Sequence, residues 1–341
     1  VSDIVIRPRP APDHQIAVPS LPRPCGPVSQ AVVTLLREPA TATQAERRVR
    51  AAFHPHLDPL TDRDFQLGLW CLYELHLDGF PGTDPALEWS PALLAARAVL
   101  EEPFEAALRR LVGPLSPDDP IEEVRRLTGS GRPPRLARFL GRDATADQFR
   151  DYLAQRAVYH LRESDPQSFV LPRVHGRAKA ALAELQYDEY GAGRPDRLHA
   201  TLYARALASL DLPTGVAAYV DTAEATILTT VNVMALFGLH RRLRGAALGH
   251  LAAFEATSSI PCRLIALGAH RLGFPAAVAT YYEEHVEADA VHEQVAIHDI
   301  CGGLLESSPE LAGDVVFGAA ACLAVDELTA TALLARWERA A

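Results

Sequence analysis

The sequence predicts an all-α fold, and three observations carry that prediction. Apolar residues recur at intervals of three and four along most of the chain after about residue 41. No stretch shows the polar–apolar alternation of a half-buried strand. The chain is long enough, at 341 residues with 48% hydrophobic and 22% charged, to bury a large core. That balance excludes wholesale disorder, collagen-like repetition and a disulfide-dense scaffold.

Residues 1–27 hold seven prolines and little burial periodicity, so they read as an extended or disordered leader. Residues 28–145 read as an accessory helical region. Phe65, Leu69, Leu72 and Leu75 form one buried stripe there, closed by Gly79 and Pro81, and Pro91 opens the next helix. Pro114 to Pro134 reads as a turn-rich connection with one short helix, followed by another at Arg135–Phe139. Residues 146–341 form the main helical domain. Its first helix runs from Asp147 through Arg162 and is stopped by Ser164-Asp165-Pro166; others are predicted over 176–189, 195–210, 224–247, 248–272, 275–300 and 308–339.

The formal charge of −10 argues against general affinity for nucleic acid or an anionic membrane. The basic run Arg241-Arg242-Leu243-Arg244 is too short to reverse that expectation. Cys25, Cys71, Cys262, Cys301 and Cys322 are scattered, without zinc or dithiol spacing, and read as reduced buried thiols. With no signal-peptide layout and no uninterrupted apolar run of bilayer-spanning length, a cytoplasmic protein without a membrane partner is the expectation.

Polar residues at helical spacing are where function enters. In Tyr281-Tyr282-Glu283-Glu284-His285-Val286-Glu287-Ala288-Asp289-Ala290-Val291-His292, the residues His285, Asp289 and His292 stand at i, i+4 and i+7. At about 100° per residue they share one helix face. Two imidazoles and a carboxylate suit Fe(II) or Mn(II); a solvated polar stripe is the competing reading. Upstream, Asp196 and His199 repeat the Asp-x-x-His spacing of Asp289 and His292, an arrangement found in dinuclear iron bundles. Glu189 is the nearest further carboxylate. On an unbroken helix it would stand roughly 80° from His199, but Gly191–Pro195 interrupts the pattern. Glu163 shares a face with His160, which is a candidate for orienting a carboxylate. Glu74 and His76 diverge by about 200° on a helix and lack companions, and His54-Pro55-His56 reads as a turn.

Taken in order, Glu163, Glu189, His199 and then His285-x-x-x-Asp289-x-x-His292 resemble the haem-oxygenase-like diiron oxidases, the iron-containing redox enzymes. The resemblance covers roughly residues 145–340. It implies a seven-helix core with two Fe(II) ions, no haem, and dioxygen as co-substrate; the N-terminal helical region lies outside that core. Position by position, Glu163 and Glu189 look like the early carboxylate ligands, with Glu189 the better bridge. His199 looks like the imidazole ligand of the first iron, and His285, Asp289 and His292 match the late cluster. Asp196 resembles an extra carboxylate of some members, shorter here by one methylene.

The reaction expected from this resemblance is oxidation of a small aliphatic amino acid or amine in specialised, natural-product biosynthesis. C–H abstraction would lead to desaturation and, where the amine captures the oxidised carbon, to a C–N ring. N-oxygenation and oxidative C–C cleavage are the enzymatic alternatives; a metal-free helical interaction protein is the non-enzymatic one. An external electron donor is required and a homodimer is compatible. Candidate substrate contacts are Glu255 for an amine, Arg263 as a carboxylate clamp, Tyr187 and Tyr282 flanking the metals, and Asn232 as a buried polar group. For each, helix packing or surface solvation is the competing role.

Overall fold

The computed structural model describes residues 20–54, 56–115, 119–129 and 133–340, apart from the side chains of 287–291 and 340. Most of the expected leader therefore falls outside the described residues. Among those described, every regular element is helical.

Four helices open the chain. They are α1 (Pro27–Arg37), with proline at its first position; α2 (Ala42–Ala51), held by a Thr41/Gln44 capping box; α3 (Arg63–Glu74), capped by Asp62; and α4 (Pro91–Val112). The connection holds α5 (Pro120–Thr128) and α6 (Arg135–Arg142). A second capping box, Thr145 with Gln148, starts α7 (Ala146–His160), after which Ser164 adopts a left-handed conformation (φ 68°) ahead of α8 (Asp165–Ser168).

Next come α9 (Gly176–Glu189), α10 (His199–Ala208), α11 (Ala217–Val220) and α12 (Ala225–Leu239). The long α13 (Arg244–Arg271) leads to α14 (Ala276–Gln294), a π-helical stretch Val295–Gly302, α15 (Gly303–Ser307) and α16 (Ala312–Ala340).

Three boundaries differ from expectation for local reasons. The helix expected over 195–210 starts at His199 because Pro195–Arg197 forms a tighter 3-10 turn. The helix expected over 224–247 ends at Leu239: His240 is extended (φ −99°, ψ 112°) and its ring turns to Glu101, 2.9 Å away. The helix expected over 275–300 widens into the π stretch directly after Gln294.

The centre of the fold is α13, packed between α14 and α16. It approaches α16 so closely that a methyl group on Gly249 would fall 1.8 Å from the Val315 carbonyl oxygen. Glycine at that crossing lets the backbones meet. The region before residue 145 shares the same apolar core, which runs continuously through Leu72, Leu140, Phe149 and Leu251. Buried polar contacts join α12 to α3 and to the turn before it: Asn232 Nδ2 donates to the Gln66 carbonyl (2.9 Å) and side-chain oxygen (2.6 Å), and Thr229 Oγ1 donates to Leu60 O (2.7 Å). The segment Pro309–Arg339 is long and apolar enough to cross a membrane by length and composition, but 61% of its most apolar window is buried in the fold, as in a core helix.

Candidate metal centre

The site is assembled from five helix segments. Glu163 stands in the turn after α7, Glu189 ends α9, His199 begins α10, Glu255 lies mid-way along α13, and His285 and His292 come from α14. All six are buried. Their donor atoms fall into two groups, Glu163–His199–His285 and Glu189–Glu255–His292, with the atoms of each within 4.8 Å of one another.

Glu189 links the two groups. Its Oε2 is 3.0 Å from His199 Nδ1, while Oε1 is 3.8 Å from His292 Nδ1. Local sequence creates this contact. Gly191 takes φ +73°, and a Cβ there would lie 2.6 Å from the Arg197 carbonyl carbon, so only glycine allows the chain to fold back tightly between α9 and α10. Ser164 Oγ then donates to Glu189 Oε2 (2.9 Å), and Gln186 Nε2 secures the Ser164 carbonyl (3.0 Å).

The first group is held by a shell of aromatic and polar side chains. Tyr281 donates its hydroxyl to Glu163 Oε2 (2.6 Å), and His160 Nδ1 lies 2.7 Å from that hydroxyl and 3.2 Å from Glu163 Oε1. His285 Nδ1 is 2.8 Å from the Tyr281 carbonyl, which can only accept, so this nitrogen carries the proton. Nε2, 3.5 Å from Glu163 Oε1, is then the nitrogen left to meet an ion. On the second group, His292 Nε2 donates to Asp188 Oδ2 (3.3 Å), and Nδ1 faces Glu255 Oε2 (3.4 Å).

The electrostatics follow from burial and pairing. Burial pushes the Glu163 carboxyl up, but the neighbouring His160 and His285 outweigh it and hold the carboxyl well below its usual range. Glu189 is likewise lowered, burial being outweighed by the His199 hydrogen bond, and His199 is raised in return by Glu189 against its burial. For His292 burial acts downward, yet Glu255 and Glu189 raise it to about 9. His160 is driven down to about 4 by burial, so it meets Tyr281 and Glu163 as a neutral donor. Three carboxylates and three imidazoles converging in a buried core match the donor set of two hard-to-borderline divalent ions. Protons on these imidazoles are what an ion would displace. The residues fit an iron pair.

A model of the iron-containing redox enzymes matches residues 150–327, a span that includes all six of these residues. The chain belongs to this iron-containing redox family. Its all-helical, haem-oxygenase-like fold agrees, and family membership makes the protein an oxidoreductase. No match exists among the curated proteins.

Several sequence expectations need correction within this family site. Asp196 does not join the clusters: it sits half-exposed in the 3-10 turn, accepting from Arg194 NH2 at 3.3 Å. Tyr187 is 57% exposed and caps the glycine turn through Ala192 O (2.9 Å), rather than flanking the metals. Arg263 is exposed on α13 and is not among the cavity-lining residues. Asn232 serves the α3–α12 contact described above. Glu255, expected at a substrate amine, stands in the second cluster. No motif spacing marks it, because it stands alone on its helix; the one signal was a carboxylate among Leu251, Phe254 and Ala256. Tyr282 is buried beside Tyr281 and lines the cavity next to the first cluster. The side chain of Asp289 lies outside the described residues.

That cavity, about 110 Å³, has Glu163, His285, His160 and Tyr281 in its wall. Mostly apolar side chains, including Leu140, Met234, Phe254, Ile265 and Val325, line the remainder.

Proposed function

We propose that the protein is a cytoplasmic, non-haem diiron, dioxygen-dependent oxidase of a small aliphatic amino acid in specialised biosynthesis, with residues 28–145 as an accessory helical scaffold. The observation that carries the reading is Glu189, whose two carboxylate oxygens face two separate buried acid–imidazole groups, beside an apolar cavity that reaches Glu163 and His285. Glu163, His199 and His285 would hold one ion, Glu255 and His292 the other, with Glu189 between them and Asp289 as a further ligand. Bound there, two ferrous ions would supply activation of dioxygen and the oxidising power to abstract hydrogen from an unactivated carbon.

The chain's own residues do the positioning. Tyr281 and His160 hold Glu163 in position, and the Tyr281 carbonyl orients the His285 ring. The apolar wall excludes water and presents an aliphatic chain to the first cluster. Desaturation removes two hydrogens and two electrons from the substrate, as does closure of a C–N ring. Complete reduction of dioxygen to water takes four electrons, so an external donor supplies the other two.

The test is anaerobic Fe(II) loading, iron analysis, then oxygen exposure with a panel of aliphatic amino acids and a reductant. About two irons per chain and a product two mass units lighter than substrate are expected. A gain of sixteen would replace this reading with oxygen insertion. Neither change, in protein carrying two irons, would overturn the substrate assignment; iron not held specifically, even with substrate present, would overturn the enzyme reading.

A further inference from the structure

The cavity beside the first cluster contains a buried cation that the metal centre does not use. Arg156 on α7 is 9% exposed and lines the cavity wall. Its closest counter-charge, Asp326 Oδ1 on α16, stands 4.0 Å away, beyond hydrogen-bond reach. Among the described residues nothing accepts a hydrogen bond from the buried Nε. The Tyr159 ring lies 5.9 Å from the guanidinium carbon, and the Tyr152, Tyr203 and Tyr282 side chains stand near enough to act on its charge. A guanidinium offers five donors, and leaving a buried one such as Nε without an acceptor is costly. Such a group suits an anion that is absent from the chain itself.

Its position is informative. Arg156, His160 and Glu163 follow one another at i, i+4 and i+7, and all three line the same cavity. At about 1.5 Å per residue, His160 is about 6 Å further along α7, and Glu163 follows in the turn just beyond its end. Asp326 is exposed at the outer end, with its side chain 58% accessible, whereas Glu163 and His285 are buried at the inner end. Leu140, Met234, Phe254 and Ile265 lie among the lining residues.

We propose that Arg156 and Asp326 form the head-group subsite for a zwitterionic α-amino acid, Arg156 taking the carboxylate and Asp326 the ammonium. A cation and an anion about 4 Å apart at a cavity mouth mirror the paired charges on an α-carbon. A side chain of about three or four carbons, at about 1.5 Å per bond, then extends along the apolar wall toward Glu163 and His285. The inference rests on the amino-acid oxidase reading and supplies what the exposed Arg263 does not.

Calorimetric titration of the anaerobic Fe(II)-loaded protein tests it. The ligands are L-valine, L-leucine and L-isoleucine, then L-leucinamide and 4-methylpentanoate, which keep one head-group charge each. Wild type is expected to bind at least one of the amino acids and to bind leucinamide about thirtyfold more weakly than leucine. In Arg156→Met the amino acids weaken by about the same factor and the preference for leucine over leucinamide vanishes; Arg156→Lys falls between. In Asp326→Asn the amino acids weaken while 4-methylpentanoate does not. Circular dichroism confirms folding, and if Arg156→Met fails to fold, Arg156→Lys and Asp326→Asn decide. Unchanged amino-acid affinity and preference in the folded Arg156 variants would overturn the subsite. If wild type still turns over amino acids in that case, the oxidase reading stands without it. If wild type binds and oxidises none, both fall.

Discussion

The two halves of the candidate metal centre are built to different standards of support. Glu163 and His285 are braced by Tyr281, His160 and a backbone carbonyl, all buried, with contacts of 2.6 to 3.2 Å. His292 leans on Asp188, whose side chain is half-exposed and 3.3 Å away. The lesson is one of preorganisation. A ligand whose orientation is locked before an ion arrives loses little freedom on binding, whereas one braced by a solvated carboxylate is held less firmly. If both halves hold an ion, the bracing of Glu163 and His285 is expected to make the first half the tighter.

Removing ligands should give the largest effect. Glu163→Ala is expected to weaken iron binding at the first half by more than about a hundredfold, and His292→Ala to empty the second while the first still holds one iron. Iron titration under nitrogen, followed by Mössbauer or cobalt-substituted absorption spectra, reads the two apart. Equal loss from both halves in each variant would break the comparison.

Removing the braces is a finer probe. Tyr281→Phe should cost about ten- to a hundredfold in affinity at the first half, and Asp188→Asn less than about tenfold at the second. The reverse order would show that burial of the partner is not what distinguishes them.

The smallest expected effect concerns an imidazole outside both halves. His292 is raised to about 9 by carboxylates, while His250, equally removed from water, is lowered to about 4 by burial. His250 is thus neutral in the folded state, and the unfolded chain binds the extra proton below about 6.5. Its contribution to stability is present above that value and is lost as pH falls toward 4. Between pH 7 and pH 5 this amounts to about 2 kcal/mol. Urea denaturation of wild type and His250→Phe at both pH values measures it, the variant losing less stability on acidification. An equal loss would show that His250 does not carry the effect.

Much was legible in the chain. The stripe through Phe65, Leu69 and Leu72, the run from Asp147 and the run 176–189 are short-range patterns, and they became helices. The same holds for His285 and His292, whose spacing alone puts both on one face. Asp196 misled because a repeated Asp-x-x-His spacing implies a common helix, whereas Pro195–Arg197 is a 3-10 turn that leaves the carboxylate in solvent. Arg263 and Tyr187 misled for a related reason: residue type says what a side chain can bind, but not which way its helix is turned.

Periodicity thus determined the helical class, and the order of acids and histidines picked out most of the side chains that meet in the two acid–imidazole groups, since each pattern depends on neighbours within a turn or two. Tertiary structure decided that Glu255 from α13 completes the second half, that Gly191 folds Glu189 back onto His199, and that Arg156 shares a cavity with Glu163. These contacts join helices distant along the chain, and their geometry is set by how closely whole backbones pack, as at Gly249 against Val315, which no local pattern encodes.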